Sequence, residues 1–212
     1  MAAPDSFVPV YPVNLVVSGR RCVVIGGGAV AARKAEGLSA AGADVVVVAP
    51  EISQAVRSLP GVTVLEREYL SGDLDGAWLA VAATDDLEVN RRVHADGQAA
   101  KVWVNAADDP PACSFTLPAV VRRGPVVVAV STSGYSPALA AWIREKVAEQ
   151  LGPEVALLAE WLSEAREEMK ATGRSTEDVD WRSALDSDML ELIRTGQVAL
   201  ARERLQACLS SQ

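Results

Sequence analysis

Two adjacent aspartates, Asp108 and Asp109, are the side chains of this sequence best placed to do chemistry. They stand with Asn105 in the stretch VNAADDPPACSF, directly after a β-branched and aromatic run over 101–105 that predicts a strand. Ligands of open α/β sheets bind beyond the carboxyl ends of the strands, so a carboxylate here could remove a proton while a hydride leaves the same substrate. Because Asp-Asp-Pro-Pro is also ordinary turn chemistry, the residues alone leave catalysis and a simple turn both open.

A second polar cluster lies in the stretch STSGYSP, residues 131–137. Its hydroxyl and backbone N–H groups, those of Ser131, Thr132 and Ser133 first, could hold a substrate carboxylate just before a helix. Ser136 followed by Pro137 is equally typical of a helix N-cap and its first turn. The pattern favours neither reading over the other.

A glycine-rich turn near the amino end of the chain indicates the kind of ligand that the protein binds. Gly26, Gly28 and Ala31 fit the pattern G-x-G-x-x-[GA], directly after an apolar strand and directly before a helix-forming stretch. In that context the first glycine permits a tight turn, the second lets a pyrophosphate approach the backbone, and the small third residue lets helix and strand pack closely. The helix N-terminus then offers free N–H groups to the phosphates, so the turn predicts a dinucleotide site.

The end of the second predicted strand departs from the usual dinucleotide pattern. An Asp or Glu commonly ends that strand and holds the ribose hydroxyls. Here the chain reads Ala49-Pro50-Glu51, which puts the carboxylate one or two positions late. No arginine follows at once to hold a 2′-phosphate, so NAD is favoured over NADP.

Several classes of nicotinamide enzyme are excluded by what they require. None of the three tyrosines is followed by lysine four places on, which excludes the short-chain dehydrogenases. The single histidine, His94, falls inside a predicted helix rather than at a strand end, where a hydroxy-acid dehydrogenase would need its acid–base group. No cluster of His, Cys, Asp and Glu has metal-ligand spacing, so no metal site is predicted.

Composition narrows the partners and the compartment. The 212 residues carry a formal net charge of −8 without a basic patch, which argues against nucleic-acid binding. No apolar run reaches the roughly 18 residues of a membrane span, and the amino end lacks the pattern of a signal peptide. The three cysteines are odd in number and far apart, so we expect reduced thiols in a cytoplasmic protein.

Apolar runs and helix-forming stretches alternate through the first half of the chain. The pattern predicts an α/β fold, a Rossmann-type doubly wound parallel sheet within residues 1–117, followed by a bridging segment over 118–150 and a small all-helical domain over 151–212. Strands are expected at 21–25, 44–50, 61–66, 77–84 and 101–105, helices at 29–41 and 86–100, and one further strand within 124–134.

Three segments together resemble the precorrin-2 dehydrogenase family, the amino-terminal module of siroheme synthase. They are GGGAVAARKAEGLSAAGADVVVVAP, LAVAATDDLEVN and VNAADDPPACSFTLPAVVRRGPVVVAVSTSGYSPALAAWIREK. The resemblance runs in order over about residues 10–150, and its third segment is the most specific. No methyltransferase follows, so the free-standing form is expected.

The resemblance implies NAD-dependent oxidation of precorrin-2 to sirohydrochlorin by a homodimer, with the 118–150 segment exchanging contacts between subunits. Some members also insert Fe²⁺ to give siroheme, and whether this chain does so stays open. Asp108 matches the family's catalytic aspartate, and Asp109 beside it leaves a one-residue ambiguity. The resemblance places the cofactor against Ala29, Val30, Pro50, Glu51, Thr84 and Asp85, besides Gly26 and Gly28, and the substrate against Asn105 and the hydroxyls of Ser131, Thr132 and Ser133.

One alternative and one difficulty accompany this reading. A non-catalytic NAD-sensing regulatory module would explain the glycine turn, but not the segment from Asn105 to Pro137. Precorrin-2 carries many carboxylates while this chain is acidic, so local cations must bind them. Arg122, Arg123 and Arg144 are candidates by their proximity to the motifs.

Overall fold

A computed structural model describes residues 10–107, 109–177, 179–185 and 188–210. The chain divides into two compact units, with the division between Leu117 and Pro118. Asp108, predicted as the catalytic residue, lies outside the described residues.

In the described part of the first unit, five strands form a parallel sheet in the order β3-β2-β1-β4-β5. The central strands β1, β2 and β4 are almost wholly buried, as expected where helices cover both faces of a parallel sheet. This confirms the predicted Rossmann-type doubly wound fold. The strands are β1 Arg21–Ile25, β2 Asp44–Ala49, β3 Thr63–Glu66, β4 Leu79–Ala82 and β5 Trp103–Ala106.

The helices between these strands begin where local signals place them. Helix α1 starts directly after the glycine turn, and α3 starts after Asp86, whose carboxylate accepts hydrogen bonds from the amides of Glu88 and Val89 as an N-cap. Helix α3 ends at Ala100, and its C-cap Lys101 adopts the left-handed conformation with φ 57°. The helices are α1 Ala29–Ala40, α2 Gln54–Arg57 and α3 Leu87–Ala100, with short 3₁₀ turns at Ser71–Leu74 and Pro110–Ala112.

The register brings the carboxyl ends of the strands to one edge. Ile25, the last residue of β1, pairs with Val48 on one side and with Ala82 on the other, and Ala82 pairs with Ala106. From β3 at one end of the sheet, the chain crosses to β4 on the far side of β1. The edge between β1 and β4 is therefore the topological switch point, where ligands of such sheets bind.

The second unit opens with a β-hairpin where a single strand over 124–134 was expected. Its strands, β6 Ala119–Arg123 and β7 Val126–Val130, pair antiparallel around a tight turn at Gly124, whose φ is 55°. The predicted strand is confirmed as β7, whereas β6 was missed because the consecutive charges of Arg122 and Arg123 hide its strand pattern. Antiparallel strands need no crossover helix, so no helix-forming stretch separates the two strands in the sequence and indicates that there are two.

Helices make up the rest of the described second unit. Helix α4 begins at Pro137 with Ser136 as its N-cap, as predicted. The later helices share a core that includes Leu158, Trp161 and Met189. The unit as a whole spans 118–212, and a separate boundary at 150 stays a prediction. The helices are α4 Pro137–Gln150, α5 Glu154–Ala171, α6 Trp181–Leu185, α7 Met189–Arg194 and α8 Val198–Ser210.

Within the described residues, no helix combines the length and apolarity needed to cross a bilayer.

Candidate functional site

The glycine turn between β1 and α1 is held by its neighbours at the sheet edge. Gly26 has φ 127°, a conformation that L side chains rarely adopt, and its amide donates to the carbonyl of Val48 over 2.9 Å. A Cβ atom on Gly26 would overlap the carbonyl oxygen of Ala83, the residue that follows β4. The first glycine thus allows the turn to pass between two strand ends.

Gly27 and Gly28 differ in what surrounds them. A Cβ atom on Gly27 would overlap the carbonyl oxygen of Glu51, so this glycine is required by packing. A Cβ atom on Gly28 would meet nothing within 4 Å, and Gly28 is exposed. We call the open space beside Gly28, which a side chain would occupy, the cradle.

The amino end of α1 presents an uncapped helix terminus to that cradle. Gly28 is the N-cap and gives no side-chain hydrogen bond, and no acidic residue stands in the first turn. Ala29 and Val30 are exposed, while Ala31 is buried against the sheet, as the close helix–strand packing of the motif requires. Free N–H groups and the positive end of the helix dipole favour an anion here.

The segment after β2 lines the other side of the turn. Pro50 and Glu51 are exposed at the strand end, so the Glu51 side chain is accessible to a ligand. The amide of Ser53 donates to the carbonyl of Gly27 over 2.9 Å. The hydroxyl of Ser53 is buried without a hydrogen-bond partner among the described residues, which leaves a polar group unsatisfied beside the turn. No motif in the sequence marks Ser53.

Thr84, two residues beyond β4, is held by a buried side chain of α3. The hydroxyl of Thr84 donates to Oδ1 of Asn90 over 2.9 Å, and Nδ2 of Asn90 donates back to the Thr84 carbonyl over 2.9 Å. Asn90 is fully buried, so these bonds satisfy polar groups that water does not reach. Asp85 next to it is exposed at the edge. The sequence indicates Thr84 by its strand-end position, but nothing in it indicates Asn90.

The segment 107–113, which we call the aspartate loop, follows β5, and its described residues begin at the same edge. Asp109 is largely buried, and its Oδ2 lies 3.8 Å from Nε of Arg91, an exposed residue of α3. Asn105, in β5, donates from Nδ2 to the carbonyl oxygen of Phe115 over 2.9 Å. The edge therefore brings together the glycine turn, the Pro50–Glu51 segment, Thr84 and the aspartate loop.

Comparison with known sequences identifies the family. The family described as putative NAD(P)-binding matches residues 13–119, half of the chain, and the one described as the central part of sirohaem biosynthesis proteins matches residues 123–150. The chain belongs to the siroheme-biosynthesis family of NAD(P)-binding proteins. The resemblance stated from the sequence is confirmed, and with it the prediction of NAD as cofactor.

Relatives in this siroheme-biosynthesis family cover nearly the whole chain. It is 36% identical over 207 residues to the siroheme synthase of Methylobacillus flagellatus and 38% identical over 204 residues to that of Chromobacterium violaceum. These alignments span 95% and 92% of this chain but 44% and 43% of the relatives, so the chain spans less than half of their length.

A solved structure matches over nearly the full length of both chains. SirC, a precorrin-2 dehydrogenase, superposes with a TM-score of 0.69 at 28% identity, covering 94% of this chain and 98% of SirC. The fold of the siroheme-biosynthesis protein described here is therefore that of SirC.

In the second unit, the hydroxyl groups of the turn over 131–136 bond mainly to backbone groups of the same turn. The hydroxyl of Thr132 donates to the Ser136 carbonyl over 3.0 Å and accepts from the Ser136 amide over 3.1 Å. Ser131 Oγ accepts from the Ser133 amide over 3.2 Å, and Ser136 Oγ caps α4 through the Leu139 amide. The N-cap reading of this turn is confirmed, while a role for Ser131, Thr132 and Ser133 in binding substrate stays a proposal.

The cations suggested for the substrate carboxylates have different surroundings. Arg123 is committed to the end of α4, because its Nε donates to the carbonyl of Leu151 over 2.6 Å and its Nη2 to that of Ala148 over 3.2 Å. Arg144 pairs with Glu145 over 2.8 Å. Arg122 is exposed. The guanidinium of Arg123 thus caps a helix, and a role for any of these arginines in binding substrate stays a proposal.

Among the described residues, no group of His, Cys, Asp and Glu side chains is arranged to hold a metal ion. His94 lies on α3 with Nε2 3.0 Å from Nε2 of Gln98. Its Nδ1 is buried without a hydrogen-bond partner among the described residues.

Proposed function

We propose that this protein is an NAD-dependent precorrin-2 dehydrogenase that removes a hydride and a proton from precorrin-2 to give sirohydrochlorin. The observation that carries the proposal is the match to SirC over nearly the full length of both chains. The family match over residues 13–119 supports the cofactor.

In this proposal the edge between β1 and β4 holds NAD, which accepts the hydride when bound. The cradle at Gly28 and the N-terminus of α1, with Gly26 making the turn and Ala29 and Val30 beside it, bind the pyrophosphate. Pro50 and Glu51 face the adenosine ribose. Thr84 and Asp85 approach the dinucleotide from the β4 side.

Asp108 is proposed to accept the proton that leaves with the hydride. Its neighbours support this placement, since Ala107 follows β5 at the sheet edge and Asp109 faces Arg91. The ion pair between Asp109 and Arg91 gives Asp109 a structural partner within the protein. Asp108 is preferred as the base because it stands where the resemblance places the family's catalytic aspartate.

The substrate is proposed to be bound by groups of the second unit. Ser131, Thr132 and Ser133 offer hydroxyl and amide groups, and Arg122 offers an exposed cation for the carboxylates. Because Arg123 is committed to α4, Arg122 is preferred over it.

A homodimer built on the 118–150 segment is part of the proposal. The segment exposes large apolar side chains, among them Val127 at 42%, Leu139 at 48% and Trp142 at 56%. Such exposure on a hairpin and its adjoining helix supports an interface. Sedimentation equilibrium tests the dimer, and Trp142→Glu should yield monomer. A cytoplasmic location is proposed as well, and it is supported by three free cysteines.

The decisive experiment supplies precorrin-2 and NAD, with and without Fe²⁺, and follows the absorbance of NADH, sirohydrochlorin and siroheme. We expect NADH and sirohydrochlorin in equal amounts. Asp108→Ala should abolish turnover while NAD still binds, and Asp109→Ala should retain turnover as the matched control. NAD binding without any response to precorrin-2 would instead support the regulatory module. Siroheme formed only with protein and Fe²⁺ would establish chelation as a second activity.

A further inference from the structure

The aspartate loop is closed at its base by a set of hydrogen bonds that we call the loop clamp, formed by Val104 and Asn105 on β5 and by Ser114 and Phe115 after the loop. The Ser114 amide donates to the Val104 carbonyl over 2.6 Å, and the Val104 amide donates to Ser114 Oγ over 3.3 Å. Nδ2 of Asn105 donates to the Phe115 carbonyl over 2.9 Å. The clamp thus joins the two ends of the segment that carries the aspartate pair.

Further bonds tie the loop itself to the sheet and to its own backbone. The amide of Ala107 donates to the carbonyl of Ala82 at the end of β4 over 2.8 Å. The amide of Ala112 donates to the carbonyl of Asp109 over 2.9 Å, and Sγ of Cys113 donates to the Ala106 carbonyl over 3.2 Å. These bonds hold described residues that precede and follow Asp108 in the sequence.

The base of the clamp is anchored in the core. Val104 is fully buried, while Ala106 and Ala112 are 3% and 6% exposed in the same apolar cluster. A shift of the clamp would therefore move the loop relative to a rigid sheet, because close-packed interiors do not deform continuously.

The direction of the Asn105 side chain decides its role. Nδ2 is the donor group of the carboxamide, and it points at Phe115 O and lies 3.5 Å from Cys113 Sγ, both within the protein. A ligand of substrate carboxylates would need that same donor facing outwards, since the carboxamide oxygen only accepts hydrogen bonds.

We propose that Asn105 is a positioning residue, which acts with Ser114 through the loop clamp to hold the aspartate loop at the edge where the cofactor binds, and that it does not bind substrate. The catalytic part of this inference rests on the proposed function. The structural part, that the clamp holds the loop, does not.

Variants on both sides of the clamp test the inference. Asn105→Asp keeps the size of the side chain but removes the donor to Phe115 O. Ser114→Ala removes the acceptor of the Val104 amide, and Ser114→Thr restores a hydroxyl as the matched control. We expect Asn105→Asp and Ser114→Ala to lower kcat by roughly 10- to 100-fold, as misplacement of a catalytic group does. The KM for precorrin-2 and the Kd for NAD should stay within about twofold of wild type.

Amide hydrogen exchange gives a second measurement that needs no substrate. The amides of Ala107 and Ala112 should exchange faster in Asn105→Asp and Ser114→Ala, while amides of β1 keep their wild-type rates and Ser114→Thr resembles wild type.

Two results would overturn the inference. A raised KM with unchanged kcat in Asn105→Asp would make Asn105 a substrate ligand. Unchanged amide exchange rates at Ala107 and Ala112 in both Asn105→Asp and Ser114→Ala would mean that the loop clamp does not hold the aspartate loop in place. If wild-type protein shows no turnover of precorrin-2, the proposed function fails while the exchange result still decides the clamp. If Asn105→Asp does not fold, the Ser114 pair decides both measurements.

Discussion

The backbone of Gly27 lies directly against the carbonyl of Glu51, so closely that a Cβ atom on Gly27 would overlap the oxygen. The contact joins the glycine turn after β1 to the end of β2, and the hydrogen bond from the Ser53 amide to the Gly27 carbonyl reinforces it. Gly27 occupies a position that the dinucleotide motif leaves unspecified. A glycine is therefore required at this position by the packing of the backbone.

Gly27→Ala should destabilise the first unit. The methyl group must displace backbone rather than a flexible side chain, so we expect the free energy of unfolding to fall by about 1–3 kcal/mol. Urea unfolding followed by circular dichroism measures the loss. A midpoint equal to that of wild type would show that the β2 end moves aside freely.

Gly28→Ala is the matched comparison at the next position. Gly28 has φ −86° and no neighbour within 4 Å of an added Cβ, so alanine fits the folded backbone. The methyl group would occupy the cradle, and we expect NAD affinity to fall about tenfold or more with little change in stability. Isothermal titration of NAD measures this. Wild-type affinity for NAD in Gly28→Ala would show that the pyrophosphate does not bind in the cradle.

Asn90→Leu should weaken both the fold and the cofactor site. It removes the hydrogen bonds between Asn90 and Thr84 and leaves the Thr84 hydroxyl bonded only to the backbone of Asp86, which costs about 1–3 kcal/mol. Because Thr84 is then held less firmly at the sheet edge, the KM for NAD should rise. Thermal unfolding and steady-state kinetics measure the two effects. Loss of stability with an unchanged KM would show that Asn90 does not position Thr84 for the cofactor.

Arg122→Ala and Arg123→Ala should separate substrate binding from helix capping. Arg123→Ala frees two carbonyls at the end of α4, and we expect about 1–3 kcal/mol lower stability with an unchanged KM for precorrin-2. Arg122→Ala should raise that KM at wild-type stability. A raised KM for precorrin-2 in Arg123→Ala, with lower stability in Arg122→Ala, would instead make Arg123 the residue that binds substrate.

Glu154 should make the stability of the second unit depend on pH. Its side chain is 4% exposed, and Nη2 of Arg194 lies 2.7 Å from its Oε1. Hydrogen bonding to Arg194 lowers the pKa of Glu154 below its ordinary value of 4.5. The folded state therefore favours the carboxylate, and the stabilisation is complete above pH 4.5 and is lost as the pH falls through the lowered pKa.

Thermal unfolding of wild type and Glu154→Gln over a series of pH values measures this dependence. The difference in Tm should be largest near neutral pH and should shrink on acidification. Glu167→Gln is the control, because Glu167 pairs with Lys170 at the surface, where an ion pair contributes little. A Tm difference for Glu154→Gln that does not change with pH would show that its charge is not what stabilises the unit.

The sequence by itself determined the elements whose signals are local. The apolar run of β1 was predicted over the same residues as observed, because a strand buried on both faces is a continuous β-branched run. Ser136 and Pro137 marked the start of α4, since capping depends on neighbours within one turn. The order of strands and helices then predicted which strand ends share an edge, and hence where a dinucleotide binds.

Only the tertiary structure decided the contacts between residues far apart in the chain. Gly27 meets Glu51 only once β1 and β2 are paired, and Arg123 reaches Leu151 only when the hairpin lies against α4. The same holds for Asn105, whose residue type suits a ligand and a structural bond equally. A sequence pattern shows which residues are apolar and at what spacing. It does not show which backbone carbonyl a side chain will bond, because every residue carries a carbonyl and only the fold brings one of them close. The sequence therefore indicated the edge of the sheet, and the folded chain decided which side chains are exposed at that edge and which hold it together.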